Sequence, residues 1–119
     1  DEAAKQLTAS VARFLAAPPK FRQYQAVIIR AISQADGVSE ETVKALGQVA
    51  EEIKPAEVRR ELASAAIRLA DKHDVTPLLR ALLAHKEDAK DPVIPQLVWI
   101  AYEKVLAKAS GGRKPPVEG

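Results

Sequence analysis

The chain contains no cysteine and no methionine, and its only aromatic residues are one tryptophan, two tyrosines and two phenylalanines. The absence of cysteine excludes disulfides, thiolate metal sites and cysteine nucleophiles within the 119 residues. No stretch reaches the roughly 18 consecutive apolar residues that a membrane-spanning helix needs. The five glycines form no glycine-rich phosphate loop, and the two histidines belong to no serine–histidine–aspartate ordering or metal-protease motif. We therefore expect no enzyme active site in this chain.

What the chain does contain is alanine, leucine, valine and isoleucine at helical spacing. These residues supply most of its 47% hydrophobic content, and a chain rich in alanine and leucine with few aromatics favours helices over sheets. Proline and glycine separate the apolar runs, because proline disfavours helix at the preceding residue and glycine permits a left-handed end. The spacing predicts six helices, at about residues 1–16, 20–35, 40–53, 55–72, 76–85 and 95–108.

The six predicted helices follow a repeating pattern. The second helix of each successive pair begins near positions 20, 55 and 95, a period of about 35–40 residues that is typical of helical-hairpin repeats. One hairpin cannot cover its own apolar face, so about three must stack for stability. We therefore predict an all-α domain over residues 1–110, built as three stacked antiparallel hairpins of the HEAT-like type in a short right-handed α-solenoid. A compact six-helix bundle is the alternative, and residues 111–119 are expected to be a disordered tail or linker.

Three segments of the second half occur in an order that resembles a known family: residues 58–65 (VRRELASA), residues 78–83 (LLRALL), and the spaced residues His85, Glu87, Asp88, Ala89, Asp91, Pro95, Trp99 and Glu103. Over about residues 55–106 they are similar to the HEAT-like helical region of the planctomycete-type dehydrogenase-like proteins that carry a c-type haem domain. The resemblance implies a noncatalytic scaffold or protein-interaction domain, a fragment of a larger exported protein that is periplasmic or secreted. Its partners would be neighbouring domains of that parent protein or another protein. Haem attachment in that family needs Cys-x-x-Cys-His, so no cofactor is expected in this cysteine-free segment.

The connector between the fifth and sixth helices holds the densest polar cluster of the chain: His85, Glu87, Asp88 and Asp91. One interpretation is a divalent-cation site made of carboxylates and one imidazole. However, no glycine provides the sharp turn that a short calcium loop needs. The favoured interpretation is structural: Asp91 caps the helix that follows it, and Asp88 pairs with Arg59 or Arg60 of the preceding hairpin. Aspartate-to-arginine pairs of this kind tie HEAT-like repeats together.

Trp99 lies at helical spacing from Pro95, Tyr102 and Leu106. That position allows a stacking platform for a base, a sugar or a cofactor, but a packed tryptophan in the core of the last hairpin is the favoured interpretation. Its removal should then cost several kcal/mol of stability. Glu103, one turn further on, could act as a general acid or base if buried, but no partner carboxylate accompanies it. We expect it at the surface or in an ion pair.

The 18 basic and 16 acidic side chains give a net charge of +2 and are mixed along the chain. A face that binds nucleic acid could be formed by seven basic residues: Lys20, Arg22, Arg30, Lys54, Arg59, Arg60 and Arg68. Because Glu57 and Glu61 interrupt this set and few aromatics accompany it, a solvated helix face is the favoured interpretation. A nucleic-acid-binding helical repeat is the alternative function.

Overall fold

The computed structural model describes residues 2–110, without the side chains of Ala3, Ala4, Leu7 and Thr8. Within that range it contains six α-helices, two short 3-10 turns and no strand, so the all-α prediction is confirmed. The predicted tail at 111–119 lies outside the described residues. The helices are α1 (Glu2–Leu15), α2 (Arg22–Gln34), α3 (Glu40–Glu52), α4 (Ala56–Leu69), α5 (Thr76–Leu83) and α6 (Ile94–Ala109), with the 3-10 turns at Pro19–Phe21 and Lys86–Lys90. None of these helices combines the length and the apolarity that crossing a membrane requires.

Caps and helix breakers set most helix ends close to the predicted positions. Ser39 is the N-cap of α3, and its hydroxyl accepts a hydrogen bond from the Thr42 amide at 3.2 Å. Gly37 has a φ of +74°, the left-handed conformation predicted for it after α2. The start of α4 differs from the prediction, because Pro55 is extended and precedes the helix instead of occupying its first position. The predicted spans made α4 the longest helix, whereas α6 is longer, with 16 residues against 14.

The helices lie in two rows, and successive helices of the chain alternate between them. α3 packs between α1 and α5, while α4 packs between α2 and α6. Across the rows, α3 also packs on α4, and α5 packs on both α4 and α6. The central helices therefore have neighbours on both sides within their row and another neighbour in the opposite row.

α4 carries the largest set of buried side chains, because both neighbours in its row pack against it. Val58, Leu62, Ala63, Ala65 and Ala66 have no exposed surface. The alanines present only a methyl group, which lets adjacent helices approach closely without leaving a void. The opposite row of helices also contributes to the core. α3 and α5 bury Val43, Leu46, Val49, Ala50, Leu78, Leu79, Ala81 and Leu82.

Gly47 lies in the middle of α3, where it faces α5. A Cβ atom at this position would lie 3.8 Å from the backbone of Leu78, which is ordinary van der Waals contact. Because glycine in a helix interior costs about 0.5–1 kcal/mol relative to alanine, we expect Gly47→Ala to raise the free energy of unfolding by about that amount in urea titrations. Gly37→Ala is the matched control and should destabilise, since its φ of +74° disfavours any residue with a Cβ. Destabilisation by both substitutions would show that α3 and α5 lie closer than described.

Candidate functional site

The connector between α5 and α6 holds the polar cluster predicted from the sequence. Residues Lys86–Lys90 form a 3-10 turn, and Asp91 follows it with a ψ of 137°. The ring of Pro92 favours this extended backbone at the residue before it. The Asp91 carboxylate then reaches the amides at the start of α6, accepting hydrogen bonds from Val93 at 2.8 Å and Ile94 at 2.9 Å. Asp91 therefore supplies the capping carboxylate predicted for it, although the helix begins at Ile94 and not at Pro92, and Val93 holds the N-cap position itself.

The Arg59 guanidinium is buried between α4 and the connector. Its Nε and Nη2 each donate to the Asp88 carboxylate at 2.6 Å, while its Nη1 donates to the carbonyl oxygens of Ile53 at 3.0 Å and Lys54 at 2.6 Å. Arg59 is 2% exposed and Asp88 is 6% exposed. The bidentate bond with Asp88 raises the pKa of the Arg59 guanidinium, despite the opposing effect of burial. One side chain thus joins α4, the α3–α4 connection and the α5–α6 connector.

Arg60 makes a second bidentate pair with the same connector. Its Nε lies 3.1 Å from Asp91 Oδ2 and its Nη2 lies 2.8 Å from the same oxygen. Hydrogen bonds from Arg60 first, and then from the Ile94 and Val93 amides, hold the pKa of the Asp91 carboxyl well below its usual range. Asp91 therefore connects α4 to the first turn of α6 while it is ionised.

This low pKa predicts a pH dependence of stability. The unfolded Asp91 carboxyl titrates near its ordinary pKa of about 3.9, and the folded one titrates well below it. The stabilisation is therefore complete above about pH 5 and is lost as the pH falls toward the folded pKa, because the unfolded state binds more protons over that range. In the parent chain, the urea concentration at the midpoint of unfolding should decrease as the pH falls from about 5 to about 2. We expect this decrease to be smaller in Asp91→Asn. Asp36→Asn, at an exposed turn, is the control; equal slopes in the two variants would contradict this role of Asp91.

The four side chains considered as metal ligands do not converge on one point: His85 and Glu87 approach each other, while Asp88 and Asp91 bind arginines. The His85 ring donates its Nε2–H to the Ala50 carbonyl oxygen at 2.6 Å, and its Nδ1 lies 3.5 Å from Glu87. Asp88 binds Arg59 and Asp91 binds Arg60, both of α4. Across residues 2–110, no three histidine or acidic side chains are grouped so that they could hold a metal ion. The geometry favours the structural interpretation of this cluster.

Glu61 is a largely buried carboxylate in α4 that was predicted only as an interruption of a basic face. It accepts hydrogen bonds from Arg30 of α2 and from Arg68, each at 2.9 Å, and Arg68 also donates to the Ser33 hydroxyl of α2 at 2.8 Å. The network therefore joins α2 to α4 through polar contacts. One signal for it was present in the sequence, because Glu61 is three residues after Val58 and shares the buried side of the helix.

Trp99 corrects a prediction: it is 58% exposed and does not anchor the core of the last hairpin. The inward positions of α6 are occupied by Ile94, Val98 and Ala101, so Trp99 lies on a different side of the helix. The sequence was misleading here because Gln96 is the one polar residue between Ile94 and Ile100, so the apolar residues of this segment do not mark a single side of α6. Glu103 is exposed, as expected.

Because Trp99 is exposed, its removal should have little effect on folding. We expect Trp99→Ala to change the free energy of unfolding by no more than about 1 kcal/mol, since alanine also favours the helix. Circular dichroism in urea at low protein concentration measures this directly. A loss of several kcal/mol would place Trp99 back in the core.

Five of the seven basic residues considered for a nucleic-acid-binding face bind carboxylates of the protein itself. The pairs are Arg22 with Glu57, Arg30 and Arg68 with Glu61, Arg59 with Asp88, and Arg60 with Asp91. Four of these five pairs join α4 to α2 or to the α5–α6 connector. Their positive charges are balanced within the fold, which does not favour a phosphate-binding surface.

The chain shows no significant match to any protein-family model, curated protein or solved structure compared with it. We therefore infer its function from the packing of its own helices and from the residues that join them.

Proposed function

We propose that this chain is a noncatalytic helical-repeat domain, three HEAT-like hairpins stacked as a short right-handed α-solenoid, that serves as a scaffold or protein-interaction module. The observation that carries the proposal is the order of helices in the two rows, with α3 between α1 and α5 and α4 between α2 and α6. Each hairpin adds one helix to each row, which is how stacked repeats contact only their neighbours. Such a domain acts through its shape: the stacked helices are rigid and hold the neighbouring parts of the protein at fixed relative positions.

The polar contacts between repeats support this interpretation. Glu61 and its arginines join α2 to α4, and the Arg59–Asp88 and Arg60–Asp91 pairs join α4 to the last hairpin. Lys104 of α6 adds a further link by donating to the Ile67 carbonyl oxygen at 3.2 Å and to Asp71 at 3.0 Å. These charged groups fix the register of one hairpin on the next, and they are engaged in structural contacts instead of converging on a substrate site.

Amide hydrogen exchange on the intact chain tests the repeat architecture. Stacked repeats open from their ends, since the end hairpins have one neighbour each. We expect α3 and α4 to exchange most slowly, with α1–α2 and α5–α6 opening independently at lower free energy. A compact bundle would instead release all six helices in one cooperative step, and that result would refute the solenoid.

The parent protein is a second part of the proposal. By its resemblance to the helical region of dehydrogenase-like haem proteins, we propose that the chain belongs to a larger exported protein and contacts that protein's other domains outside the cytoplasm. The coding sequence on either side of the segment tests this. A Cys-x-x-Cys-His segment downstream or a propeller pattern upstream would support it, and a complete short reading frame would contradict it.

A further inference from the structure

The end of the helix row at α6 has an apolar outer side. Pro95, Trp99, Tyr102 and Leu106 are spaced by four, three and four residues, so they lie along one side of the helix. Tyr102 is half-buried and also packs against the core, while the other three are exposed. Lys104 marks a different side, because it bonds to Asp71 and to the Ile67 carbonyl of α4. Leu83 of α5 lies beside this surface, since it lines the same groove of about 450 Å³ as Pro95. We call Leu83, Pro95, Trp99, Tyr102 and Leu106 the C-terminal face.

The opposite end of the row, at α2, is also apolar. Tyr24, Ile28 and Ala31 of α2 are spaced by four and three residues and lie along one side of the helix. Phe21, at the end of the 3-10 turn before α2, continues this side, because its ring centroid lies 5.7 Å from that of Tyr24. The other side of α2 faces α4, because it carries Ser33 and Arg30, which bind Arg68 and Glu61. We call Phe21, Tyr24, Ile28 and Ala31 the N-terminal face.

Large apolar side chains dominate both faces, with the exposed Glu103 beside Trp99 on the same side of α6, whereas terminal repeats normally carry a polar outer surface for solubility. We propose that the C-terminal face of one copy of this chain packs on the N-terminal face of a second copy, in a head-to-tail contact that continues the α2–α4–α6 row. A second copy fits because one chain carries both halves of the contact at opposite ends of the same row. The pairing of α6 with the next α2 would repeat the side-by-side packing that α2 and α6 already make with α4. Two different surfaces meet in such a contact, so it is heterologous.

The exposed area of the two faces is sufficient for a weak specific interface. Six large apolar side chains on them are between 39% and 58% exposed: Phe21, Tyr24, Ile28, Leu83, Trp99 and Leu106. With about 200 Å² for each aromatic side chain and less for each leucine or isoleucine, covering them would bury on the order of 500 Å² of largely apolar surface. A specific interface of about 1,000–1,200 Å², of which about 56–65% is apolar, needs a similar amount. We therefore expect association in the upper micromolar range instead of a permanent oligomer.

Sedimentation of the 119-residue chain between about 1 µM and about 1 mM tests the proposal, and Trp99 provides an intrinsic probe. We expect the weight-average mass to rise above that of the monomer with concentration, while the Trp99 emission shifts to shorter wavelength as the indole leaves water. Gln23→Lys adds a charge to an exposed site of α2 outside the N-terminal face, and should associate like the parent. Circular dichroism confirms that each variant is folded.

Two further variants separate head-to-tail packing from pairing of like faces. Tyr24→Lys blocks the N-terminal face and Leu106→Lys blocks the C-terminal face, so each alone should remain monomeric. Mixed, they should form a one-to-one dimer that grows no further, because one variant keeps an intact C-terminal face and the other an intact N-terminal face. Self-association of either variant alone, a mixture that stays monomeric, or a parent chain that is monomeric throughout would each overturn the proposal.

The inference rests on the repeat architecture proposed above, and the two can fail separately. A monomer whose end hairpins still open independently in hydrogen exchange refutes the self-association and keeps the repeat. Cooperative exchange of all six helices refutes the repeat itself.

Discussion

Asp88→Ala is expected to lower the free energy of unfolding by about 3–5 kcal/mol. The substitution leaves the Arg59 guanidinium buried with both of its hydrogen bonds to a carboxylate removed. Arg59 cannot lose its proton to relieve this, because its pKa lies far above neutral pH. Its remaining partners are the carbonyl oxygens of Ile53 and Lys54, with Glu87 at 3.6 Å, so the loss should fall toward the lower end of the range. Urea unfolding followed by circular dichroism measures the effect.

A matched variant and a double variant identify the buried charge as the cause. Glu87→Gln removes a carboxylate from the same turn, but Glu87 has a side chain that is 65% exposed, and its loss should cost less than about 1 kcal/mol. Combining Asp88→Ala with Arg59→Met should recover part of the stability, since the unpaired charge is then gone. If Asp88→Ala and Glu87→Gln destabilise equally, the described burial of the Arg59–Asp88 pair is wrong.

Local signals in the sequence predicted the helix ends well. Ser39, Gly37 and the prolines act on the backbone within one or two residues, so their effects need no knowledge of the tertiary structure. The pairing of Asp88 with an arginine of α4 was predicted from the resemblance to HEAT-like repeats, in which such pairs tie neighbouring repeats together, and the structure has this pair. The choice between Arg59 and Arg60 was not available from spacing, and the structure gives Asp88 to Arg59 and Asp91 to Arg60.

The orientation of α6 could not be predicted for a physical reason. A helix with apolar residues on all sides has no periodic signal that marks its buried side, and the decision falls to its neighbours. α6 has a row neighbour on one side only, which leaves Trp99 exposed although its residue type favours burial. Glu61 is the opposite case, a residue type that favours solvent but is buried. Its carboxylate is stabilised in the interior by hydrogen bonds from Arg30 and Arg68.

Leu62→Ala should show how strongly the position of a helix in its row determines the stability lost when a leucine side chain is shortened to alanine. Leu62 has no exposed surface and lies in α4, whose row neighbours are α2 and α6, so its removal leaves a cavity and should cost about 2–5 kcal/mol. Leu106→Ala makes the same chemical change at the end of the row, where the side chain is 48% exposed, and should cost about 1 kcal/mol or less. Both variants are best measured at about 1 µM, where the weak association proposed above contributes nothing. Equal losses in the two variants would mean that the outer side of α6 is already covered in the single chain, and the C-terminal face would then be no surface for a second copy.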